Sequence, residues 1–239
     1  LANGHLQATG FDLLNRKQYR YHSLWNVVRK HTKFYRLQEF GKQMPVIRTR
    51  IDNDLSLSGF PQEKILAAVV SLLERTNIRV GNAFYEKLYG SFGLTTLKNR
   101  HVTINGTQLL FSFKGKKGVS HNITLKSKKL ARIVAACKDM PGKELFEYYD
   151  VDGNVHSIDS GMVNNYIRMI TGGEFTAKDF RTWAGTVSAL VAFHELGGFE
   201  TVTEMNQKIP AAFDMVAKQL GNTRTVCKNY YVHPVIIDL

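Results

Sequence analysis

The sequence predicts an α+β fold that is mostly helical, with one small three-stranded antiparallel sheet at about residues 101–126. Helices are predicted where apolar residues recur every three to four positions, most clearly over residues 61–77 and 176–196. The sheet is predicted from alternating apolar residues around Asn105-Gly106, because this dipeptide favours the tight turn of a hairpin. A lysine-rich turn at residues 114–118 leads into the third strand.

In the N-terminal half, the secondary structure is predicted from glycine and proline positions as well as from the spacing of apolar residues. Residues 18–22 alternate like an edge strand. Residues 1–22 lack a starting methionine and begin within a pattern, so we expect them to be the remnant of a segment that came before. A helix is predicted over residues 23–43, and Gly41 followed by Pro45 is expected to end it. The remaining segments are a polar connection at 48–60, an apolar helix at 61–77 that begins with Pro61, and a short helix at 82–90.

The C-terminal half is predicted to be helical apart from one hairpin. Thr176 and Asp179 have the spacing of a capping pair, which marks the start of a helix. Pro210 is expected to kink or divide its helix. Asp152-Gly153 predicts a plain hairpin turn and not a calcium loop, because the glycine is misplaced and no glutamate closes the loop. The predicted helices cover residues 127–140, 160–171, 176–196, 202–220 and 223–231.

The charge distribution indicates a polyanionic partner. The 239 residues carry a net charge of +12, from 32 Lys and Arg against 20 Asp and Glu. Residues 98–132 contain no acidic side chain, and residues 16–50 contain only Glu39 among many basic and aromatic residues. Such blocks fit a surface that follows a DNA backbone. The alternative is a basic face that serves only solubility.

The composition also excludes several classes of protein. No stretch approaches 18 consecutive apolar residues, and the first ten residues lack the features of a secretory signal, so we expect a soluble intracellular protein without membrane contact. Cys137 and Cys227 lie too far apart to suggest a disulfide framework or a zinc site. No glycine-rich nucleotide loop, HExxH motif or carboxylate cluster is present, so no cofactor and no metal are expected.

Two segments have the residues that phosphate chemistry requires. Lys178 and Arg181 lie on one face at the start of a helix, where the helix dipole favours an anion. Near the end of the chain, Gly221-Asn222 follows a helical run and Tyr231 lies nine residues beyond the asparagine, as if a nucleophile were delivered to a phosphate. Considered alone, the second segment is explained better by a helix end, a helix start and a structural tyrosine.

Six segments along nearly the whole chain form a specific combination in this order: RKQYRYH at 16–22, IRVGN at 78–82, LKNRHV at 97–102, KGK at 114–116, GGEFTAKDFRTWAGT at 172–186 and LGNTRTVCKNYYVHP at 220–234. Together they resemble the bacterial type IB DNA topoisomerases, relatives of the compact viral enzymes that share their chemistry with the tyrosine recombinases. The resemblance implies the helical catalytic domain of the topoisomerase IB and tyrosine recombinase type over residues 23–239. Residues 1–22 would then be what remains of the β-rich lobe that clamps DNA.

The resemblance also implies the catalytic residues. Tyr231 would attack one DNA strand, Arg79 and Arg181 would hold the phosphate oxygens by charge-assisted hydrogen bonds, and Lys116 would protonate the leaving 5′ oxygen. Asn222 occupies the position of a histidine in the viral enzymes. An amide donates a hydrogen bond but brings no charge, so it is expected to orient the phosphate without titrating.

The chemistry of the residues leaves some assignments open. Lys114 and Lys117 lie in the same turn as Lys116, and only the resemblance separates them as proton donors. Tyr230 is a rival nucleophile that the family spacing from Asn222 disfavours. Further DNA contacts are predicted at Lys178, Tyr85, Gln18, Tyr19, Tyr21, Lys98, Arg100, Lys114 and Lys117.

The expected function is a type IB topoisomerase that nicks one strand of double-stranded DNA through a 3′-phosphotyrosyl link, allows rotation and reseals it without ATP or metal. We expect a bacterial, cytoplasmic, nucleoid-associated monomer whose binding is impaired because most of the clamp lobe is missing. One alternative is a tyrosine recombinase, which is disfavoured by Lys178 where a histidine is usual and by the short segment after Tyr231. A second alternative is a non-catalytic basic DNA-binding module.

Overall fold

The computed structural model describes residues 4–13 and 17–236, and the chain forms two compact units, Leu1–Lys42 and Gln43–Leu239. In the first unit, β1 (Leu6–Phe11) and β2 (Lys17–Tyr21) pair as an antiparallel hairpin with largely exposed side chains. The strand predicted at residues 18–22 is thereby confirmed. The predicted boundary at residue 22 concerns the ancestry of the segment and stays a prediction.

The first helix is longer than the sequence indicated. α1 (Ser23–Asp54) continues through Gly41 and Pro45, so the prediction that these residues end it was wrong, and so was the predicted start of the polar connection at residue 48. Met44, Ile47 and Ile51 continue the helical spacing across the proline and are at most 3% exposed. Burial of this apolar stripe offsets the hydrogen bond that Pro45 cannot donate.

The sheet has the predicted three strands. The short helix α3 (Ala83–Tyr89) precedes β3 (Val102–Asn105), β4 (Gln108–Lys114) and β5 (Ser120–Lys126). The strands pair in the order β3-β4-β5, and both pairs are antiparallel, which confirms the predicted meander. The turn between β4 and β5 carries the lysines, and we call residues 114–118 the lysine turn.

The C-terminal part is helical apart from one hairpin, as predicted. Its elements are α4 (Lys128–Lys138), β6 (Glu147–Tyr149), β7 (Val155–Ser157), α5 (Ser160–Thr171), α6 (Ala177–Leu196), α7 (Val202–Leu220) and α8 (Arg224–Tyr230). The capping pair is confirmed, because the Asp179 carboxylate accepts a hydrogen bond from the Thr176 backbone N–H at 2.8 Å. Pro210 lies inside α7 without dividing it.

The second unit contains two groups of buried apolar side chains, one on α2 and one shared by the last three helices. The helix α2 (Gln62–Thr76) has ten buried residues among its 15 and packs against β5, β6, α5 and α6. Buried side chains of α6, α7 and α8 form a further group, which we call the C-terminal cluster. Its members are Ala189, Phe213, Val216, Ala217, Leu220, Cys227 and Val232, with Tyr231 partly buried at its edge. The cluster therefore holds the last helix, and with it the predicted nucleophile.

No helix in the described ranges is long and apolar enough to cross a membrane. Within the same ranges, no group of three or more His, Cys, Asp or Glu side chains could hold a metal ion.

We predict that Phe213→Ala destabilises the second unit by about 3–5 kcal/mol, because it removes a 1% exposed aromatic ring from the C-terminal cluster. Met215→Ala, on the same helix but 42% exposed, serves as the control and is expected to change stability by less than about 1 kcal/mol. Urea unfolding followed by circular dichroism measures both. Equal losses in the two variants would contradict the role of the cluster.

Candidate active site

Two helices of the second unit end with the same backbone geometry. Asn77 follows α2 with φ of 57°, and Gly221 follows α7 with φ of 58°. A left-handed residue closes the last hydrogen bonds of a helix and turns the chain away from its axis. The chain then presents a polar side chain at each end, Arg79 after α2 and Asn222 after α7.

Arg181 joins the two helix ends. This side chain of α6 is 4% exposed, and its terminal nitrogens donate to the carbonyl oxygen of Asn77 and, at 2.7 Å, to that of Leu220. Carbonyl groups at helix C-termini carry partial negative charge, so they compensate the buried guanidinium. Burial and the nearby Arg79 charge lower the pKa of Arg181 to about 10, against smaller opposing effects of Tyr231, which leaves the group charged at neutral pH.

A hydrogen bond between Arg79 and Asn222 connects the segments that follow the two helices. Arg79 Nη2 donates to Asn222 Oδ1 at 2.6 Å, across 143 residues of sequence. The bond occupies the amide oxygen and leaves the amide NH₂ as a donor. Among the described residues, Asn222 Nδ2 and Arg181 Nε are buried without a hydrogen-bond partner. Since an unpaired buried donor costs about 1–3 kcal/mol, an acceptor on a bound ligand would stabilise both donors.

The charge of the site indicates the same kind of ligand. Arg79 and Arg181 lie close enough for Arg79 to lower the pKa of Arg181. In the described part of the chain, neither guanidinium forms an ion pair with a carboxylate. Two like charges held together without a counter-ion favour the binding of an anion. A phosphate, with several acceptor oxygens, satisfies both the charges and the unpaired donors.

Tyr231 lies against α6 beside this anion site. Its ring centroid is 5.3 Å from the guanidinium carbon of Arg181, and its carbonyl accepts a hydrogen bond from Thr186 Oγ1 at 3.3 Å. Gly185 makes the approach possible, because a Cβ atom there would lie 2.6 Å from the Tyr231 carbonyl oxygen and 3.0 Å from its Cβ. The same helix therefore supplies the buried arginine and the surface that positions the tyrosine.

The backbone around Arg79 is held by the segment that follows α3. The Leu94 N–H donates to the Arg79 carbonyl at 2.9 Å, and the Thr95 N–H donates to the Val80 carbonyl at 2.7 Å. A Cβ atom on Gly93 would lie 2.6 Å from the Arg79 carbonyl oxygen, so only glycine allows this approach. Arg79 is thus fixed at its backbone as well as at its guanidinium.

Four of the five predicted catalytic residues, Arg79, Arg181, Asn222 and Tyr231, are brought together directly. Lys116 is exposed in the lysine turn. That turn reaches the site through His121, whose imidazole lies against both Gly115 and Gly221. Burial, followed by the charges of Arg79 and Arg181, lowers the pKa of His121, which also places this ring beside the arginine pair.

Lys178 and Tyr85 are exposed, as a DNA contact requires. Lys178 is in the first turn of α6, three residues before Arg181. Tyr85 is 53% exposed on α3 with its ring 6.0 Å from that of Tyr89. Arg100, Lys114 and Lys117 are exposed as well. These contacts stay predictions.

Lys98 differs from the other predicted DNA contacts, because its ammonium group forms ion pairs with Glu86 at 2.8 Å and Glu144 at 2.5 Å. It ties α3 to the segment before β6, and its role toward DNA stays a prediction. In the first unit, Gln18, Tyr19 and Tyr21 lie on β2, where Gln18 Nε2 donates to Asp12 Oδ2 at 2.8 Å. Contacts of these three with DNA also stay predictions.

Comparison with known proteins assigns the family. The sequence-family model for the catalytic core of eukaryotic DNA topoisomerase I matches residues 22–237 of this chain. The matched range includes all five predicted catalytic positions. The chain belongs to the topoisomerase I family. Its helical fold with small antiparallel sheets is that of a type IB topoisomerase catalytic core, as the sequence predicted.

Two viral relatives define the match to type IB topoisomerases more closely. The DNA topoisomerase 1B of Acanthamoeba polyphaga mimivirus is 30% identical over an alignment of 246 positions. The alignment covers 99% of this chain and 73% of the relative. The DNA topoisomerase 1B of Vaccinia virus (strain Copenhagen) is 24% identical over 236 residues, which cover 96% of this chain and 71% of the relative. The chain is therefore a poxvirus-like member of the type IB topoisomerases.

Asn77, Gly185 and His121 are among the residues of the site that were not predicted from the sequence. Asn77 contributes only its backbone carbonyl, so its side chain gave no signal. Gly185 lies one helical turn after Arg181, and this spacing could have indicated a close approach on the same face. His121 falls on the inward face of β5 by strand alternation, next to the lysine turn, and this position was the available signal.

We predict that Gly185→Ala lowers the rate of plasmid relaxation at least tenfold, because its methyl group displaces Tyr231. Alanine favours a helix by about 1 kcal/mol over glycine, so lost helix propensity cannot explain the effect. Gly198→Ala is the control, since a Cβ atom there meets nothing within 4 Å. Relaxation rates from both variants, compared on agarose gels, test the prediction. An unchanged rate in Gly185→Ala would contradict it.

Proposed function

We propose that this type IB topoisomerase relaxes supercoiled double-stranded DNA by cutting and resealing one strand. The proposal is carried by one observation: two guanidinium groups without a carboxylate partner and two unpaired buried donors converge beside Tyr231. This arrangement fits a phosphodiester placed for attack by the phenolic oxygen. The relatives named above, DNA topoisomerases 1B, support the same function.

In the proposed cleavage step, the phenol of Tyr231 releases its proton to solvent while its oxygen forms a bond to phosphorus, and the bond from phosphorus to the 5′ oxygen breaks. Negative charge increases on the non-bridging oxygens, where Arg79 and Arg181 stabilise it. The amide of Asn222, oriented by Arg79, donates to one of these oxygens. Lys116 donates a proton to the leaving 5′ oxygen, because an alkoxide leaves poorly.

The product is a 3′-phosphotyrosyl link, which preserves the energy of the phosphodiester in a covalent intermediate. The cut strand rotates around the intact one, and the 5′ hydroxyl then attacks the same phosphorus and returns its proton to Lys116. The bond from phosphorus to the Tyr231 oxygen breaks, and the phenol regains a proton from solvent. Because each step exchanges one phosphoester for another, the cycle requires no ATP. It relaxes supercoils of either sign.

The finer assignments belong to the proposal. We propose that the chain acts as a monomer on double-stranded DNA in a bacterial nucleoid, with the basic blocks along the phosphate backbone. Residues 1–22 are proposed to derive from the lobe that clamps DNA. A tyrosine recombinase would use similar chemistry, but no feature of the site favours it. A non-catalytic module could bind phosphate through the same donors, but the relatives named above, DNA topoisomerases 1B, favour the enzyme.

The first prediction from this function concerns the nucleophile. Incubation with a supercoiled plasmid in EDTA without ATP is expected to give relaxed DNA and, after an SDS quench, a protease-sensitive protein–DNA adduct. Tyr231→Phe is expected to abolish both, because it lacks the attacking oxygen. Tyr230→Phe, which changes the exposed neighbour, is the matched control and should retain both.

Loss of the adduct in Tyr230→Phe but not in Tyr231→Phe would show that Tyr230, and not Tyr231, is the nucleophile. Salt-sensitive binding without any adduct, and without change in Tyr231→Phe, would indicate the non-catalytic module instead.

The second prediction concerns pH and Asn222. The amide does not titrate, whereas Asn222→His places an imidazole beside Arg79 and Arg181, whose charges lower the imidazole pKa below about 6.5. The ratio of the variant's cleavage rate to the parent's is expected to rise as pH falls through that pKa, because the imidazolium adds positive charge at the phosphate. Single-turnover adduct formation from pH 5 to 9 measures the ratio.

Taking a ratio cancels the titrations that the two proteins share. Asn229→His, at an exposed position of α8, provides the control and should show a constant ratio. A constant ratio in Asn222→His as well would contradict contact between this position and the reacting phosphate.

A further inference from the structure

His121 occupies the space between the lysine turn and the end of α7. A Cβ atom added to Gly115 would lie 2.6 Å from both Cδ2 and Nε2 of the imidazole. A Cβ atom added to Gly221 would lie 2.6 Å from Cε1 of the same ring. The ring therefore fits between two glycine backbones, and neither position has room for a larger residue.

The other sides of the ring are defined as well. His121 stacks on Phe113, with ring centroids 5.1 Å apart and planes inclined by 21°. Phe113 is the strand partner of His121 and is itself 7% exposed, so the imidazole rests on a buried support. The ring is thus fixed by packing on three sides. Because burial and the two arginines lower its pKa, it is neutral at neutral pH and adds no cation to the site.

These contacts connect two parts of the site that are otherwise separate. Gly115 immediately precedes Lys116, and its N–H donates to the Val119 carbonyl at 2.8 Å, which closes the lysine turn. Gly221 immediately precedes Asn222, whose amide is held by Arg79. One side chain thus sets the distance between the turn that carries Lys116 and the segment that carries the phosphate ligands.

We propose that His121 is a positioning residue that holds the lysine turn against Gly221 and so aims Lys116 at the leaving 5′ oxygen. The inference rests on the proposed function and assigns His121 no contact with DNA. Without the ring, the turn loses its support and the proton donor moves away from the phosphate. The arginine pair, which depends on Asn77 and Leu220, keeps its place.

The proposal separates proton donation from phosphate binding, and a sulfur substitution can detect that separation. When the bridging 5′ oxygen of the cleavable phosphate is replaced by sulfur, the leaving group is a thiolate. Thiols have a pKa of about 8.5, so the thiolate leaves without a proton. A variant that has lost only proton donation is rescued by sulfur, whereas a variant that has lost stabilisation of the phosphate oxygens is not.

The experiment measures single-turnover adduct formation on a duplex with the ordinary phosphate and on the matched 5′-thio duplex. His121→Ala is expected to be ten- to hundredfold slower than the parent on the ordinary duplex and within about threefold of it on the thio duplex. Lys116→Ala should show the same pattern, and Arg181→Ala should be slow on both. Thr124→Ala, on the exposed face of β5, is the control and should match the parent on both.

A double variant tests the packing directly. Gly115 has φ of −94°, so alanine there meets no backbone strain, only the His121 ring. Gly115→Ala alone is expected to slow the ordinary duplex and to be rescued by sulfur. Added to His121→Ala, it should cause no further loss, because the group it meets is gone. Additive losses would overturn the proposed contact.

The outcomes separate this inference from the proposed function. No adduct from the parent on either duplex would overturn the proposed function and this inference together. If the parent reacts and Lys116→Ala is rescued, a His121→Ala rate equal to the parent's overturns only the role of His121. A slow His121→Ala that sulfur does not rescue also overturns it, because the defect would then lie in the phosphate ligands.

Discussion

The buried guanidinium of Arg181 is the constraint on which the rest of the site depends. A charge that is 4% exposed requires compensation, and here the compensation comes from the carbonyl ends of two helices. A buried donor that loses its hydrogen-bond partner costs about 1–3 kcal/mol, and a charged donor costs more. The guanidinium therefore fixes where α2 and α7 end relative to α6. Arg79 and Asn222 follow those ends, and their positions are set by the same contacts.

The site combines groups that serve stability with groups that reduce it. The C-terminal cluster and the Arg181 contacts hold the helices, whereas two like charges and two unpaired donors in the same place oppose folding. Such unfavourable groups persist where a ligand completes them. The apolar packing beneath Tyr231 keeps these groups in position before DNA arrives. Preorganised donors of this kind need little rearrangement when charge develops on the phosphate.

Local pattern predicted the elements well but not the contacts between them. The helices at residues 160–171 and 202–220 have the predicted bounds, because their apolar spacing is a property of each segment alone. The helix end predicted at Pro45 was wrong, because burial of apolar side chains along α1 outweighs the effect of a local helix breaker. The five catalytic candidates came from a family resemblance, and the structure brings four of them together. Gly185 and His121 were missed because their importance lies in close approaches between distant segments, which periodicity does not encode.

The sequence separations of the Arg181 and Arg79 contacts determine when the anion site can form during synthesis of the chain. Arg181 bonds to groups 104 and 39 residues away, and Arg79 bonds to a group 143 residues away. A chain emerging from the ribosome has no anion site until Asn222 has been made and α7 has docked. Tyr231, the proposed nucleophile, follows nine residues later, so it and the site mature together. Nascent and misfolded copies therefore lack the assembled anion site, and only the completed fold can act on DNA.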